Sequence, residues 1–98
     1  MSAHRSIAPA DVLDTIRRRM LVDGFDIVLD LDRSEGCRMV DARDGRRYLD
    51  FFSFFASSPL GMNHPAMMDQ AWRERLSRVA VNKVANSDIY TDVYAEFV

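Results

Sequence analysis

The 98-residue sequence is poor in the residues that most often build metal and phosphate sites. Its single cysteine, Cys37, excludes an internal disulfide and a cysteine-based metal cluster, and it fits a reducing compartment. The two histidines, His4 and His64, have no cysteine or acidic partners at ligand spacing, so no metal site is expected. The four glycines stand singly, at positions 24, 36, 45 and 61. Neither common glycine-rich phosphate loop is therefore present.

Long apolar runs and excess charge are also missing. No stretch approaches the length of apolar residues that spans a membrane, and residues 1–10 lack the apolar segment of a signal peptide. The net charge is −2, which argues against a general binder of nucleic acid or of a membrane surface. The basic run 17–19 is interpreted as the solvated end of a helix. We therefore expect a soluble cytoplasmic protein.

Chain length allows one small domain at most, and folding is marginal at this size. Hydrophobic residues make up 48% of the chain, so composition does not predict disorder. The last residues, Phe97 and Val98, are apolar and fall inside a predicted helix, which is unusual for a finished domain. We expect a loose lead-in over 1–8 and an incomplete domain over 9–98, truncated within a helix.

Apolar periodicity predicts a helix and then three strands in the first half. Pro9 and Asp11 are typical of a helix start, an apolar face follows at helical spacing, and Gly24 is a plausible stop. Residues 27–32, 38–41 and 46–52 have strand patterns. Asp44-Gly45 is a strong hairpin signal because glycine tolerates positive φ. The interpretation is a three-stranded antiparallel meander from 27 to 52.

The second half is predicted to be helical. Asn63 or His64 would lie near the cap of a helix with Pro65 in its first turn, running to about Val79. Ser87 or Thr91 could cap a last helix. The fold class is thus α+β: an N-terminal helix, the meander, then helices.

None of the polar residues is predicted to be catalytic. Lys83, the only lysine, lies on a polar segment and is interpreted as solvated. Asp41, Asp44 and Asp50 flank the hairpin; paired carboxylates can do acid–base work, but here they are interpreted as turn and edge residues. No serine occupies a nucleophile elbow.

Four phenylalanines follow the last predicted strand, at positions 51, 52, 54 and 55. Because alternate residues of a strand face opposite sides, the four cannot all enter one small core. Some of them should face a partner or a ligand.

The sequence resembles the N-terminal region of class-III pyridoxal-phosphate (PLP) aminotransferases of the ornithine and GABA type, and most closely their lysine 6-aminotransferase branch. The likeness extends from about Met20 to Val98. Met62 departs from it, because family members often have a histidine directly after the glycine. The segments that carry the likeness are 21–24, 26–31, 44–52, 56–58, 60–65, 82–83 and 86–88.

This resemblance implies part of the small domain of a fold-type-I homodimer. The parent enzyme would use PLP to move the ε-amino group of L-lysine to 2-oxoglutarate, giving 2-aminoadipate 6-semialdehyde and glutamate. Phe55, with Ala56 beside it, would wall the substrate pocket. The partners would be the remainder of the chain and a second subunit. The phosphate-binding cup, the Schiff-base lysine and the carboxylate-binding arginines would lie elsewhere in the parent.

Two hypotheses follow from the sequence. The first is an N-terminal piece of a lysine 6-aminotransferase, inactive alone, with an ornithine- or GABA-type parent as its variant. The second is a small non-catalytic helix–meander–helix interaction module. The surplus of aromatic residues favours the first.

Overall fold

The computed structural model describes residues 6–82 and 89–98 of the chain. Their contacts divide them into two units, of which the first ends at His64 and the second begins at Pro65. In the first unit, a 3-10 turn at Pro9–Asp11 leads into helix α1, Val12–Arg17. The helix ends well before Gly24, and no residue in it is buried. The arginines at its end are exposed, as predicted.

A two-stranded antiparallel sheet forms the centre of the first unit. Strand β1, Arg38–Val40, pairs with strand β2, Arg47–Leu49, with Met39 opposite Tyr48. Gly45 lies in the connection at φ 75°, which confirms the predicted hairpin and the reason for its glycine.

The prediction of a strand over residues 27–32 is wrong. Leu29 makes only an isolated antiparallel bridge to Asp41, supported by hydrogen bonds from the amides of Asp30 and Ala42 on either side. The carboxylate of Asp30 then accepts hydrogen bonds from the amides of Asp32 and Arg33. Because an aspartate that bonds the amide two residues on starts a turn, the chain bends away from β1 at this point.

The buried residues lie around this bridge. Val28 and Val40 are the buried hydrophobic residues of the part of the chain that the structure describes, and Ser34 and Asp41 are buried with them. The Ser34 hydroxyl accepts a hydrogen bond from the amide of Val40 at 2.9 Å. The core is therefore small and half polar.

The side chain of Asn63 joins the end of the first unit to the segment that precedes β1. Its φ is 49°, and its side-chain amide donates to the carbonyl oxygens of Leu31, at 2.6 Å, and Ser34, at 2.7 Å. Just before it, Met62 and Gly36 exchange two backbone hydrogen bonds. These contacts fasten the segment after the phenylalanines to the turn that precedes β1.

The last element of the first unit is the short turn α2, Ser53–Ala56, and the described residues of the second unit form three helices. Helix α3 is Pro65–Met68, α4 is Gln70–Ala80 and α5 is Asp92–Phe97. The single helix predicted from Pro65 to Val79 is thus interrupted at Asp69, whose carboxylate accepts from the amide of Trp72 and so caps α4. Thr91 caps α5 through the amide of Tyr94, as predicted, whereas Ser87 and Lys83 lie outside the described residues. No helix in 6–82 or 89–98 is long and apolar enough to cross a membrane.

Candidate functional site

Among the residues that the structure describes, the segment after β2 has the most unusual backbone. The short element α2, Ser53–Ala56, is one turn of left-handed conformation, with φ values of 47°, 49°, 57° and 61° at its four residues. A left-handed conformation costs ~1–2 kcal/mol per residue for side chains with a Cβ. Such a run persists only where surrounding contacts hold it, and strained backbone of this kind clusters at functional sites.

Asp50 holds the start of this turn. Its Oδ1 atom accepts hydrogen bonds from the amide of Phe52 at 2.9 Å and from the amide of Ser53 at 2.6 Å. At the far side, the amide of Ser58 donates to the carbonyl of Ser53 at 3.2 Å. The turn is therefore fixed at both ends by polar contacts.

Ring contacts hold the phenylalanines of this segment. The ring of Phe52 lies 5.4 Å from that of Phe25, 5.6 Å from that of Phe54 and 4.8 Å from that of Phe55, between ring centroids. Edge-on and tilted contacts at these distances are favourable for aromatic pairs. Phe52 is thus the centre of a four-ring cluster.

An apolar cleft of about 180 Å³ opens beside this cluster. Its lining is made of aliphatic and aromatic side chains only, and carries no charge. The residues are Phe25, Ile27, Leu29, Met39, Phe52 and Phe54. Such a surface suits methylene groups or aromatic rings, and it provides no group that could transfer a proton.

Phe55 and Ala56, the predicted substrate-binding residues, stand at the tip of the left-handed turn. Both are exposed, Phe55 by 88%. Phe51 is 92% exposed. Of the neighbouring residues Phe51 and Phe52, therefore, only Phe52 packs against the other rings. The structure thus brings Phe52, Phe54 and Phe55 together and leaves Phe51 projecting on its own.

A charged network lies next to Phe25, one of the four rings of the cluster. The guanidinium of Arg43 bonds the carboxylate of buried Asp41, and also the carboxylate and the carbonyl oxygen of Asp26, both at 2.7 Å. The hydrogen bonds from Arg43 outweigh burial and lower the pKa of Asp41 from 3.8 to about 2. Because Asp26 follows Phe25, this network ties the segment that carries the Phe25 ring of the cluster to the hairpin.

The three acids of the hairpin have the structural roles that the sequence predicted. Each accepts a hydrogen bond from the amide two residues further on: Arg43 for Asp41, Arg46 for Asp44 and Phe52 for Asp50. The sequence did not reveal that Arg43 reaches Asp26, which lies 17 positions away, or that Asp50 begins a left-handed turn. No group of three or more metal-ligating side chains occurs in residues 6–82 and 89–98.

Comparison with known proteins identifies the family to which the chain belongs. The family model of class-III aminotransferases matches residues 20–97, and the chain therefore belongs to that family. The chain is 53% identical over 97 residues to an L-lysine-epsilon aminotransferase of Mycobacterium bovis, covering 98% of this chain and 22% of the relative. It is also 53% identical over 89 residues to the enzyme of the same name from Streptomyces clavuligerus, covering 90% of this chain and 20% of that one.

A solved structure shows the same fold. The lysine aminotransferase of Mycobacterium tuberculosis in the internal aldimine form superposes with a TM-score of 0.84 at 52% identity, covering 93% of this chain and 21% of that one. The present chain thus spans about a fifth of the length of the relatives that it matches.

Family membership implies PLP in the parent enzyme, and the apolar cleft beside the phenylalanines does not fit this cofactor. PLP enzymes hold the cofactor through a lysine amine and anchor its charged groups. Lys83 lies outside the described residues, and the cleft beside the phenylalanines has no cationic side chain in its lining.

Proposed function

We propose that this chain forms part of the small domain of a homodimeric, cytoplasmic lysine 6-aminotransferase, which transfers the ε-amino group of L-lysine to 2-oxoglutarate. The 53% identity to lysine-epsilon aminotransferases over nearly the whole chain is the observation that carries the proposal. PLP bound elsewhere in the parent supplies the electron sink for the transfer. The contribution of this chain is binding and shape, since its cleft is apolar.

Within that enzyme we assign Phe55 and Ala56 to the wall of the substrate pocket. The support is that both are exposed in a strained turn, and that the ring of Phe55 contacts Phe52, which lines a cleft without charged side chains. An apolar wall can contact the methylenes of lysine and exclude water, while the charged ends of the substrate are bound by other groups. Selection among amines of different chain length would then depend on where Phe55 stands.

A segment exchange tests the proposal. In this chimera, the matched segment of the M. tuberculosis lysine aminotransferase is replaced by the present chain, and glutamate formation from lysine and 2-oxoglutarate is measured. We expect PLP binding and turnover with a preference for lysine over ornithine. The unmodified M. tuberculosis enzyme is the control.

Two outcomes would contradict the proposal. A folded, PLP-loaded chimera that prefers ornithine or GABA would assign the chain to another class-III branch. A folded chimera without turnover of any amine would favour the non-catalytic interaction module.

A further inference from the structure

Asp50 stands where the regular hairpin gives way to the left-handed turn. Its side chain is half-buried, and its Oδ1 atom lies 2.9 Å from the amide nitrogen of Phe52 and 2.6 Å from that of Ser53. Two successive N–H groups that converge on one oxygen fix the orientation of both peptide planes. The direction in which the chain enters the turn is therefore set by the position of one carboxylate oxygen.

The turn then determines where Phe55 stands. Phe55 lies two residues after Ser53, inside the same left-handed run, and its amide donates to the carbonyl of Phe52 at 3.0 Å. Its ring is 4.8 Å from that of Phe52 but remains 88% exposed. The contact with Phe52 restrains only one side of the Phe55 ring. The position of Phe55 therefore depends mainly on its backbone conformation.

We propose that Asp50 is a positioning residue for the substrate wall: its carboxylate oxygen holds the left-handed turn that places Phe55, and thereby sets the discrimination between lysine and shorter amines. The inference rests on the proposed function, because it takes Phe55 as the residue that meets the substrate. Asp50 itself touches no substrate and transfers no proton. What it provides is a hydrogen-bond acceptor at a fixed position.

Three substitutions in the chimera separate geometry from charge. Asp50→Asn keeps an acceptor oxygen at the same place and removes the charge. Asp50→Glu keeps the charge and moves the oxygen by one methylene, and Asp50→Ala removes both. The matched control is Asp44→Ala, because Oδ1 of Asp44 accepts the same kind of hydrogen bond, from the amide of Arg46 at 2.8 Å, in the hairpin connection rather than at the phenylalanines.

The kinetic readout is kcat/KM for lysine and for ornithine, with PLP content and Tm measured alongside. A displacement of about 1 Å at a reacting complex costs up to roughly a hundredfold in rate. We expect Asp50→Ala and Asp50→Glu to lower kcat/KM for lysine roughly ten- to hundredfold and to reduce the lysine-to-ornithine ratio, with PLP still bound. Asp50→Asn should restore both, and Asp44→Ala should change Tm without changing the ratio.

If Asp50→Ala does not fold, the comparison of Asn with Glu decides. An active Asp50→Glu beside an inactive Asp50→Asn would overturn the proposal in favour of a charge effect, and an unchanged lysine-to-ornithine ratio in both would reduce Asp50 to a stability residue. Crystal structures of the same variants separate this failure from that of the proposed function. Suppose that the chimera does not use lysine, but that Phe55 shifts in Asp50→Glu and not in Asp50→Asn. The positioning role of Asp50 then stands and the substrate role of Phe55 fails. If Phe55 does not move in Asp50→Glu, the positioning role itself is overturned.

Discussion

Phe52 and Phe55 lie three residues apart and have opposite surroundings. Phe52 contacts three other rings, whereas Phe55 is 88% exposed. In the chimera we expect Phe55→Ala to lower kcat/KM for lysine by ~10- to 200-fold, the range for lost apolar contacts in a pocket, with little change in Tm. Phe52→Ala should instead lower stability by up to ~3 kcal/mol, the low end for a phenylalanine truncated in a core, because Phe52 is only half-buried.

Steady-state kinetics and thermal unfolding of the two variants check this contrast. A Phe55→Ala enzyme with normal kcat/KM and a Tm as low as that of Phe52→Ala would show that Phe55 packs in the parent. The assignment of Phe55 to the substrate wall would then be wrong.

The lowered pKa of Asp41 predicts that the stability of the folded state depends on pH. Its pKa in the folded state is about 2, below the ordinary 3.8, chiefly because Arg43 donates hydrogen bonds to it. The folded state therefore binds this proton less readily than the unfolded state does, so the stabilisation is complete above about pH 4 and is lost as the pH falls from there toward 2. Thermal unfolding of the chimera between pH 5 and 2.5 should show a steeper loss than in Asp41→Asn.

The Asn variant is the internal reference, because it keeps the side-chain shape and an acceptor but cannot titrate. Parallel pH profiles for the two proteins would mean that Asp41 titrates alike in both states. The bond to Arg43 would then not contribute to stability through its charge.

At the scale of elements, the sequence predicted those parts of the fold that depend on neighbouring residues. The hairpin formed where Asp44 and Gly45 predicted it, and Thr91 caps the last helix. The strand predicted over 27–32 failed because alternation of apolar residues says nothing about the side chain of Asp30, which bonds two amides and ends the pairing. Local side-chain bonding competes with sheet formation at this position.

The left-handed turn shows why the candidate site was only partly predictable. Family resemblance pointed to Phe55 and Ala56, but nothing in their residue types predicts four positive φ values in succession. In the structure, that conformation occurs together with a hydrogen bond from the amide of Ser53 to the carboxylate of Asp50 and a ring contact between Phe52 and Phe55. Contacts of this kind appear only once the chain is folded.

Gly61 permits a close approach that should not tolerate a side chain. Its φ is 76°, and a Cβ atom there would lie 2.7 Å from the carbonyl oxygen of Gly36. That oxygen accepts a hydrogen bond from the amide of Met62. Gly61→Ala should therefore destabilise the chimera by more than the ~1–2 kcal/mol of a left-handed residue alone. Gly24→Ala is the matched control, since a Cβ there meets nothing within 4 Å; equal melting temperatures for the two variants would contradict the close approach.

At the scale of the whole molecule, the balance of buried and exposed apolar surface predicts how the chain behaves alone. Val28 and Val40 are its buried hydrophobic side chains in the described residues, whereas Phe51, Phe55 and Phe97 are each more than 85% exposed. Two buried valines contribute only ~3–6 kcal/mol by transfer from water, while each ordered residue costs ~1–2 kcal/mol of backbone entropy.

We expect the isolated 98-residue chain to melt broadly or to self-associate, and to show no lysine transamination with added PLP. The same sequence within the chimera should unfold cooperatively, because further chain covers the exposed rings. Sedimentation velocity and thermal melting of the two proteins side by side test this expectation, and a monodisperse monomer with a sharp transition would show that the small core around Val28 and Val40 is sufficient.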